Sequence, residues 1–240
     1  MNSKRIQREL LQPFSMNDLE WRVQASGAFN GNIWCRVLAY VTNRAIQQRL
    51  DDVVGVFGWK NEFKPLPNSV GDGALCGISI KFEGEWITKW DGADNTAIES
   101  TKGGLSGAMK RSAVEFGIGR YLYDVEAHYA EVITADAFKA LKRNDKDLYE
   151  KGQLKDKTVF YWKPPQLADK FLPQKYVTPA NAKTIIKLAV ETETSQKDIC
   201  SIYGVDEITD LFASEAGDAI TKLAKKKTIM EEENEANKKD

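Results

Sequence analysis

The stretch ALCGISIKFEGEWITKW, residues 74–90, decides the fold. Between Ile78 and Phe82 every second residue is apolar, which is the period of a strand with one buried face. The Glu-Gly pair at 83–84 predicts a tight reversal into a second strand. Upstream, the segment WKNEFKPL, which begins at Trp59, predicts another strand, and the PNSVGDG stretch after it predicts a turn. The three strands together form a β-meander.

One helix is predicted before this meander and one after it. The segment RAIQQRLDDVVGVF, residues 44–57, repeats apolar residues at helical spacing, with Asn43 as its N-cap and Gly58 as its stop. Residues 104–116 have a second helical stripe, and two glycines just beyond them end it. A helix therefore precedes the meander and another follows it.

Two further elements precede the first of these helices. The segment MNDLEWRVQ, residues 16–24, predicts a short helix capped by Ser15. The segment IWCRVLAYV, residues 33–41, is rich in β-branched and aromatic residues and predicts a strand. The element order is α-β-α-β-β-β-α, which places the chain in the α+β class with a β-β-β-α core.

The C-terminal third predicts a change of architecture. Residues 139–163 are rich in lysine, and the prolines of the YWKPPQLADKFLP segment indicate an extended edge segment or a linker. After it, Thr178-Pro179 opens a run of three short amphipathic helices. We therefore expect a large domain over residues 1–175, a small helical module over 176–228 and a charged, disordered tail over 229–240.

The overall charge does not indicate a polyanionic partner. The chain has 34 Lys and Arg against 35 Asp and Glu, a formal net charge of −1. An assignment to nucleic-acid binding must therefore rest on local basic clusters. No apolar run is long enough for a membrane span and the N-terminus lacks a signal peptide, so we expect a cytoplasmic protein that does not contact a membrane.

Several kinds of site chemistry have no pattern in this sequence. The three cysteines, at positions 35, 76 and 200, are far apart and form no zinc motif or disulfide framework. A P-loop motif is lacking, and the lone His128 cannot form a metal cluster. Asp51 and Asp52 are adjacent on a helix and point in different directions, which makes a poor two-metal nuclease site. We expect no cofactor, no metal and no catalysis.

Cations on two predicted helices are the candidate site residues. Lys110 and Arg111 fall away from the apolar stripe of residues 104–116, and Lys102 lies just before that helix. Arg44 lies opposite the stripe of its own helix, and Arg49 lies near the rim. Each could instead belong to an ordinary solvated helix face. Six nearby aromatic residues could stack on bases, but core packing is the more common role for such rings; they are Tyr40, Trp59, Trp86, Trp90, Tyr121 and Tyr123.

Several segments resemble one family. They are LQPFSMNDLEWRVQASG, YVTNRAIQQRLDDVVGVFGW, LSGAMKRSAVEFGIGRYLY and FYWKPPQLADKFLP, which occur in this order over roughly residues 8–175. Together they are similar to the single-strand annealing family named after the yeast repair protein Rad52, and most of all to its bacteriophage Sak-type branch. The resemblance implies a β-β-β-α core, ring-shaped homo-oligomers and a basic groove for single-stranded DNA.

The resemblance also implies which residues line the groove. Arg44 matches the family's arginine early in the first long helix, with a shift of one residue, and Lys110 and Arg111 match its Lys-Arg pair. The family's further arginine one turn later is Val114 here, and Lys102 or Arg120 are candidates to replace it. The C-terminal module resembles a helical appendage of phage recombination proteins, which suggests contact with a host single-strand DNA-binding protein or with DNA.

The function expected from these observations is single-stranded DNA binding and ATP-independent annealing of complementary strands, in homologous recombination and repair. Basic side chains would hold the phosphates of one strand while its bases stay accessible to another. The alternative is a recombination mediator or end-protecting protein that binds DNA without annealing it, and the sequence does not separate the two. A nuclease is disfavoured because no metal-carboxylate pattern is present.

Overall fold

The structure, a computed structural model, describes residues 3–66, 73–95 and 100–236. The chain divides into two compact units. The larger unit runs from Leu10 to Pro173, and the smaller consists of residues 3–9 together with 174–236. The sequence places residues 1–9 in the large domain, whereas the contacts of residues 3–9 group them with the C-terminal helices.

The larger unit begins with a β-hairpin where the sequence predicts a helix. Strand β1 (Leu19–Phe29) pairs antiparallel with β2 (Asn32–Val41), and only a single 3-10 turn covers Met16–Asp18. The helix predicted over 16–24 is therefore wrong, and the strand predicted over 33–41 is confirmed. Ten cross-strand residue pairs stabilise the extended conformation of β1. Their contribution outweighs the weak local preference of residues 16–24 for a helix.

Helix α2 (Asn43–Val54) follows β2 directly. Its N-cap is Thr42, one residue before the predicted Asn43, and the Thr42 hydroxyl accepts a hydrogen bond from the Ala45 N–H at 3.1 Å. Ile46, Leu50 and Val53 are buried, as the stripe predicts. The helix stops at Gly55, whose φ of 79° favours glycine, so Phe57 lies outside the helix and is 94% exposed.

The predicted meander and its following helix are present. Strands β3 (Trp59–Pro65), β4 (Gly73–Phe82) and β5 (Glu85–Asp94) form an antiparallel sheet in that order. Helix α3 (Ser100–Glu115) packs across β4 and β5 and also contacts α2. The turn predicted at PNSVGDG spans residues 67–73, of which 67–72 lie outside the described residues and Gly73 begins β4. Both glycines after α3 adopt positive φ angles, which confirms the predicted stop.

The remainder of the larger unit adds a strand to the hairpin and a second small sheet. Strand β6 (His128–Tyr129) pairs with β2, and β7 (Glu131–Thr134), β8 (Glu150–Gln153) and β9 (Val159–Lys163) form a sheet in the order β7-β9-β8. Two short helices, α4 (Ala135–Ala140) and α5 (Arg143–Lys146), lie between β7 and β8. Part of the segment expected to be an edge or linker is therefore regular structure.

The smaller unit is a helical module closed by the N-terminal helix. It contains α6 (Pro179–Glu191), α7 (Gln196–Ile202) and α8 (Ala213–Ala236), and Thr178 caps α6 with proline at its first position, as predicted. Residues 3–9 belong to α1 (Ser3–Leu11), and Arg8 forms an ion pair with Glu215 at 2.6 Å. Helix α8 runs through residue 236, so the structure differs from the expected disordered tail over residues 229–236.

Candidate nucleic-acid interface

Helix α3 buries one side against the sheet, and its Lys-Arg pair lies outside that side. On one side the buried Ser112 hydroxyl donates to the Lys89 carbonyl at 2.9 Å and accepts from the Ile78 N–H at 3.3 Å, which fixes the helix on the sheet. Met109 and Ala113 are buried on a neighbouring side. Lys110 is half-buried and Arg111 is exposed. The Lys-Arg pair that the sequence singles out therefore lies outside the fully buried side of the helix.

Lys110 lies among groups from the β1–β2 hairpin. Its ammonium is 5.9 Å from the centre of the Tyr40 ring, and the Arg22 guanidinium is 5.7 Å from the same ring. Arg22 also donates to the Glu20 carboxylate at 2.9 Å. These four residues, from three different elements, form what we call the Tyr40 cluster.

The Tyr40 cluster has an excess of positive charge. Burial lowers the pKa of Lys110, the charge of Arg22 lowers it further, and the Glu20 carboxylate partly offsets both. Two cations thus repel each other beside one aromatic ring with only one carboxylate to balance them. A phosphate placed between them would relieve this repulsion and accept charge-assisted hydrogen bonds from both.

The hairpin register explains how these residues meet. Glu20 lies directly opposite Tyr40 in the β1–β2 pairing, and Arg22 lies opposite Leu38. Side chains at alternate positions of a strand share a face, so Glu20, Arg22 and Tyr40 project from the same side of the hairpin. The sequence prediction missed Arg22 because it assigned residues 16–24 to a helix. The alternation of polar Glu20, Arg22 and Gln24 in LEWRVQ was the signal for a strand.

Arg111 and Arg120 have partners of a different kind. The Arg111 Nε donates to the Asp91 carboxylate at 3.2 Å, and the Arg111 side chain stays 54% exposed. Such a solvated pair is weakly held and leaves the guanidinium able to exchange onto a phosphate. Arg120 instead donates to the carbonyls of Val114 at 2.6 Å and Glu115 at 3.1 Å, which caps the end of α3. These hydrogen bonds hold the exposed Arg120 guanidinium at the end of α3.

The two arginines of α2 have different environments. Arg44 is exposed on the first turn, four residues after Tyr40, and forms no ion pair within the described part of the chain. Arg49 donates to the carbonyls of Gln12 at 2.6 Å and Pro13 at 3.1 Å, and its guanidinium lies 4.3 Å from the centre of the Phe14 ring. It holds the segment before the hairpin against α2. Of the two, only Arg44 faces solvent.

Two other sequence expectations concern Lys102 and the aromatic residues. The backbone of Lys102 belongs to α3, but its side chain lies outside the described residues. The expectation that most of the aromatic residues pack in the core is wrong, because four of the six are exposed: Tyr40, Trp86, Trp90 and Tyr123. Trp86 and Trp90 share the sheet face opposite α3, where Lys60 and Lys64 lie over their rings at 4.7 and 4.4 Å.

Comparison with known proteins identifies the family. Residues 2–138, more than half of the chain, match the model of the Rad52/22 family of double-strand break repair proteins. The chain belongs to this family. The match includes the β1–β2 hairpin, α2, the meander and α3, so it contains the whole Tyr40 cluster. No solved structure matches the chain.

Two curated relatives each match about half of the chain. The single-stranded DNA-binding protein DdrA of Deinococcus radiodurans is 33% identical over 131 residues, which cover 52% of this chain and 58% of that protein. The single-stranded DNA-binding protein DdrA of Deinococcus deserti is 32% identical over 124 residues, which cover 50% of this chain and 57% of that protein. The chain thus spans a little over half the length of the relatives that it matches.

Other kinds of site lack support among the described residues. No group of three or more His, Cys, Asp or Glu side chains within residues 3–66, 73–95 and 100–236 could hold a metal ion. In the same ranges, no helix combines the length and the apolar character that crossing a membrane requires.

Proposed function

We propose that this Rad52/22-family chain binds single-stranded DNA and promotes annealing of complementary strands without ATP. The observation that carries the proposal is the Tyr40 cluster, in which Lys110 and Arg22 bring two positive charges to one aromatic ring. A phosphate is the anion that DNA offers at regular spacing, and a neighbouring ring suits an unstacked base. The family match and the names of the two relatives support the same class of ligand.

The mechanism follows from phosphate contacts that leave the bases unpaired. Lys110 and Arg22 hold a phosphate from two sides, and the exposed Arg44 and Arg111 extend the contact to neighbouring phosphates. The bases of the held strand remain available to a second strand, and base pairing supplies the free energy. ATP has no step to drive in this mechanism. Homo-oligomers, the ring form in particular, would align many such weak contacts along one strand.

Binding is tested with charge-removing variants over a salt series. Lys110→Ala and Arg22→Ala should each weaken binding of oligonucleotides of any sequence, because phosphate contacts carry no sequence information. Each lost contact should reduce the slope of log affinity against log salt by about 0.7. Lys151→Ala, which removes an exposed lysine of β8, is the matched control and should leave both quantities unchanged. Wild-type affinity and slope in a folded Lys110→Ala protein would contradict the assignment.

Annealing is tested separately from binding. Complementary oligonucleotides carrying a fluorophore and a quencher should anneal faster with the protein than without it, at the same rate with or without ATP. A mediator or end-protecting protein would bind the same strands without this acceleration. Light scattering should show a homo-oligomer, and a strict monomer with and without DNA would contradict alignment of many contacts along one strand.

A further inference from the structure

The second half of helix α8 presents a face that the other described residues leave exposed. In the first half, Ala216, Ala219 and Leu223 are buried in the core of the smaller unit. Beyond them the side chains are mostly exposed, and Ile229 is a large apolar residue that is 45% exposed. A single exposed isoleucine is ordinary on a protein surface, so the charges around it must indicate what packs there.

The charges around Ile229 form a mirrored pattern. Three lysines, at 225–227, precede it and three glutamates, at 231–233, follow it. Each lysine has a glutamate at the same distance on the other side of Ile229, so that Lys225 is matched with Glu233. Lys225 and Glu233 lie four residues from Ile229 in opposite directions, which puts all three on one stripe of the helix.

Lys225 and Glu233 have no oppositely charged residue four positions away on the inner side of this stripe, so neither can form that ion pair within the helix. The residue four positions after Lys225 is Ile229 itself, and so is the residue four positions before Glu233. Lys227, by contrast, pairs with Glu191 at 3.0 Å on the side that faces α6. Lys225, Glu232 and Glu233 form no ion pair within residues 3–66, 73–95 and 100–236.

We infer that α8 pairs antiparallel with α8 of a second copy, about a two-fold axis at Ile229. In this arrangement Lys225 of each copy faces the partner's Glu233, the two Ile229 side chains pack against each other, and the two helix dipoles oppose. The stripe from Lys222 to residue 236 is about 20 Å long at 1.5 Å per residue. One such contact is small, so pairing is weak between single chains and strong only where many copies are held together.

A two-fold contact has a defined consequence for assembly. It is isologous, so it closes on two copies and cannot propagate into a ring or filament by itself. It therefore joins two chains or, when the larger units form rings, two rings. Pairing two assemblies brings two sets of DNA-binding units into one particle, which would hold two separate strands near each other.

Charge reversal tests the pairing, with particle mass measured by sedimentation velocity. At about 50 mM salt, where screening is weak, the wild type should form a paired species. Its mass should be twice that of the unpaired species observed at about 500 mM salt, where screening weakens the ion pairs. Lys225→Glu alone and Glu233→Lys alone should each halve the mass, with pairing at least about tenfold weaker, because two ion pairs become two repulsions. Lys183→Glu, an equal charge change at an exposed site on α6, should have no effect.

Mixing distinguishes an antiparallel copy from any other occupant. Lys225→Glu mixed with Glu233→Lys should restore the doubled mass, and so should a chain carrying both changes, because opposite charges then face each other again. Failure of the mixture to restore it, or an unchanged mass in the single variants, would overturn the inference. Binding of single-stranded DNA, measured on the same samples, should be unchanged per chain, so this result is independent of the proposed function.

Discussion

Removal of the Arg49 guanidinium should destabilise the larger unit without weakening its contact with DNA. The guanidinium donates to two backbone carbonyls, those of Gln12 at 2.6 Å and Pro13 at 3.1 Å. A hydrogen bond from a charged donor contributes about 1.5–3 kcal/mol, and the lower value applies to a half-buried side chain, which gives about 3 kcal/mol for the pair. The contact with the Phe14 ring adds about 0.5 kcal/mol.

Arg49→Ala should therefore lower the free energy of unfolding by about 3.5 kcal/mol. At roughly 2–4 °C for each kcal/mol in a chain of this size, the melting temperature should fall by roughly 7–14 °C. Thermal melts followed by circular dichroism measure the shift, and fluorescence anisotropy well below the transition measures affinity for single-stranded DNA. Affinity should be unchanged, because Arg49 points at the backbone of its own chain.

Arg44→Ala is the matched control, since it removes the same group from the same helix. Arg44 is exposed, so its loss should change stability by no more than about 0.5 kcal/mol while weakening DNA binding. The reverse result for Arg49→Ala, a loss of DNA affinity without a loss of stability, would refute the structural role assigned to Arg49. An Arg49→Ala protein that melts like the wild type but has lost DNA affinity would show that Arg49 belongs to the groove.

Three further predictions concern titration, truncation and the thiols. Burial and Arg22 lower the pKa of Lys110, so its ammonium is lost at a lower pH than that of an ordinary lysine. DNA affinity should therefore fall early as pH rises from neutrality towards about 10.5, and Lys110→Arg should abolish this early fall in anisotropy titrations. A chain cut to residues 10–173 should keep the wild-type affinity and salt slope in filter binding, because it contains the whole Tyr40 cluster. Burial raises the pKa of Cys35 and Cys76 to about 11, so Ellman's reagent at about pH 8 should react with them only after denaturant is added, and fast reaction in native buffer would contradict their burial.

The sequence by itself determined the elements whose signals are local. The alternation in ALCGISIKF and the short EG reversal define β4 and β5, because strand period and turn chemistry act over a few residues. The stripe of α2 and the glycines after α3 were equally readable. Lys110 and Arg111 could be placed away from the apolar face for the same reason, since helical spacing fixes which residues share a side.

Contacts between residues distant in the chain decided the rest. Residues 19–24 became a strand because β2 supplies their hydrogen-bond partners, and that pairing brought Arg22 and Tyr40 to Lys110. The role of Arg49 was also not readable from the sequence, because Arg44 and Arg49 lie on the same helix and have the same side chain. Only the structure shows that Arg49 donates hydrogen bonds to the carbonyls of Gln12 and Pro13. The same holds for the N-terminal helix, whose Arg8 is paired with Glu215 more than two hundred residues away in the chain. Local pattern specifies elements and their faces, whereas a cluster drawn from three elements exists only once the chain has packed.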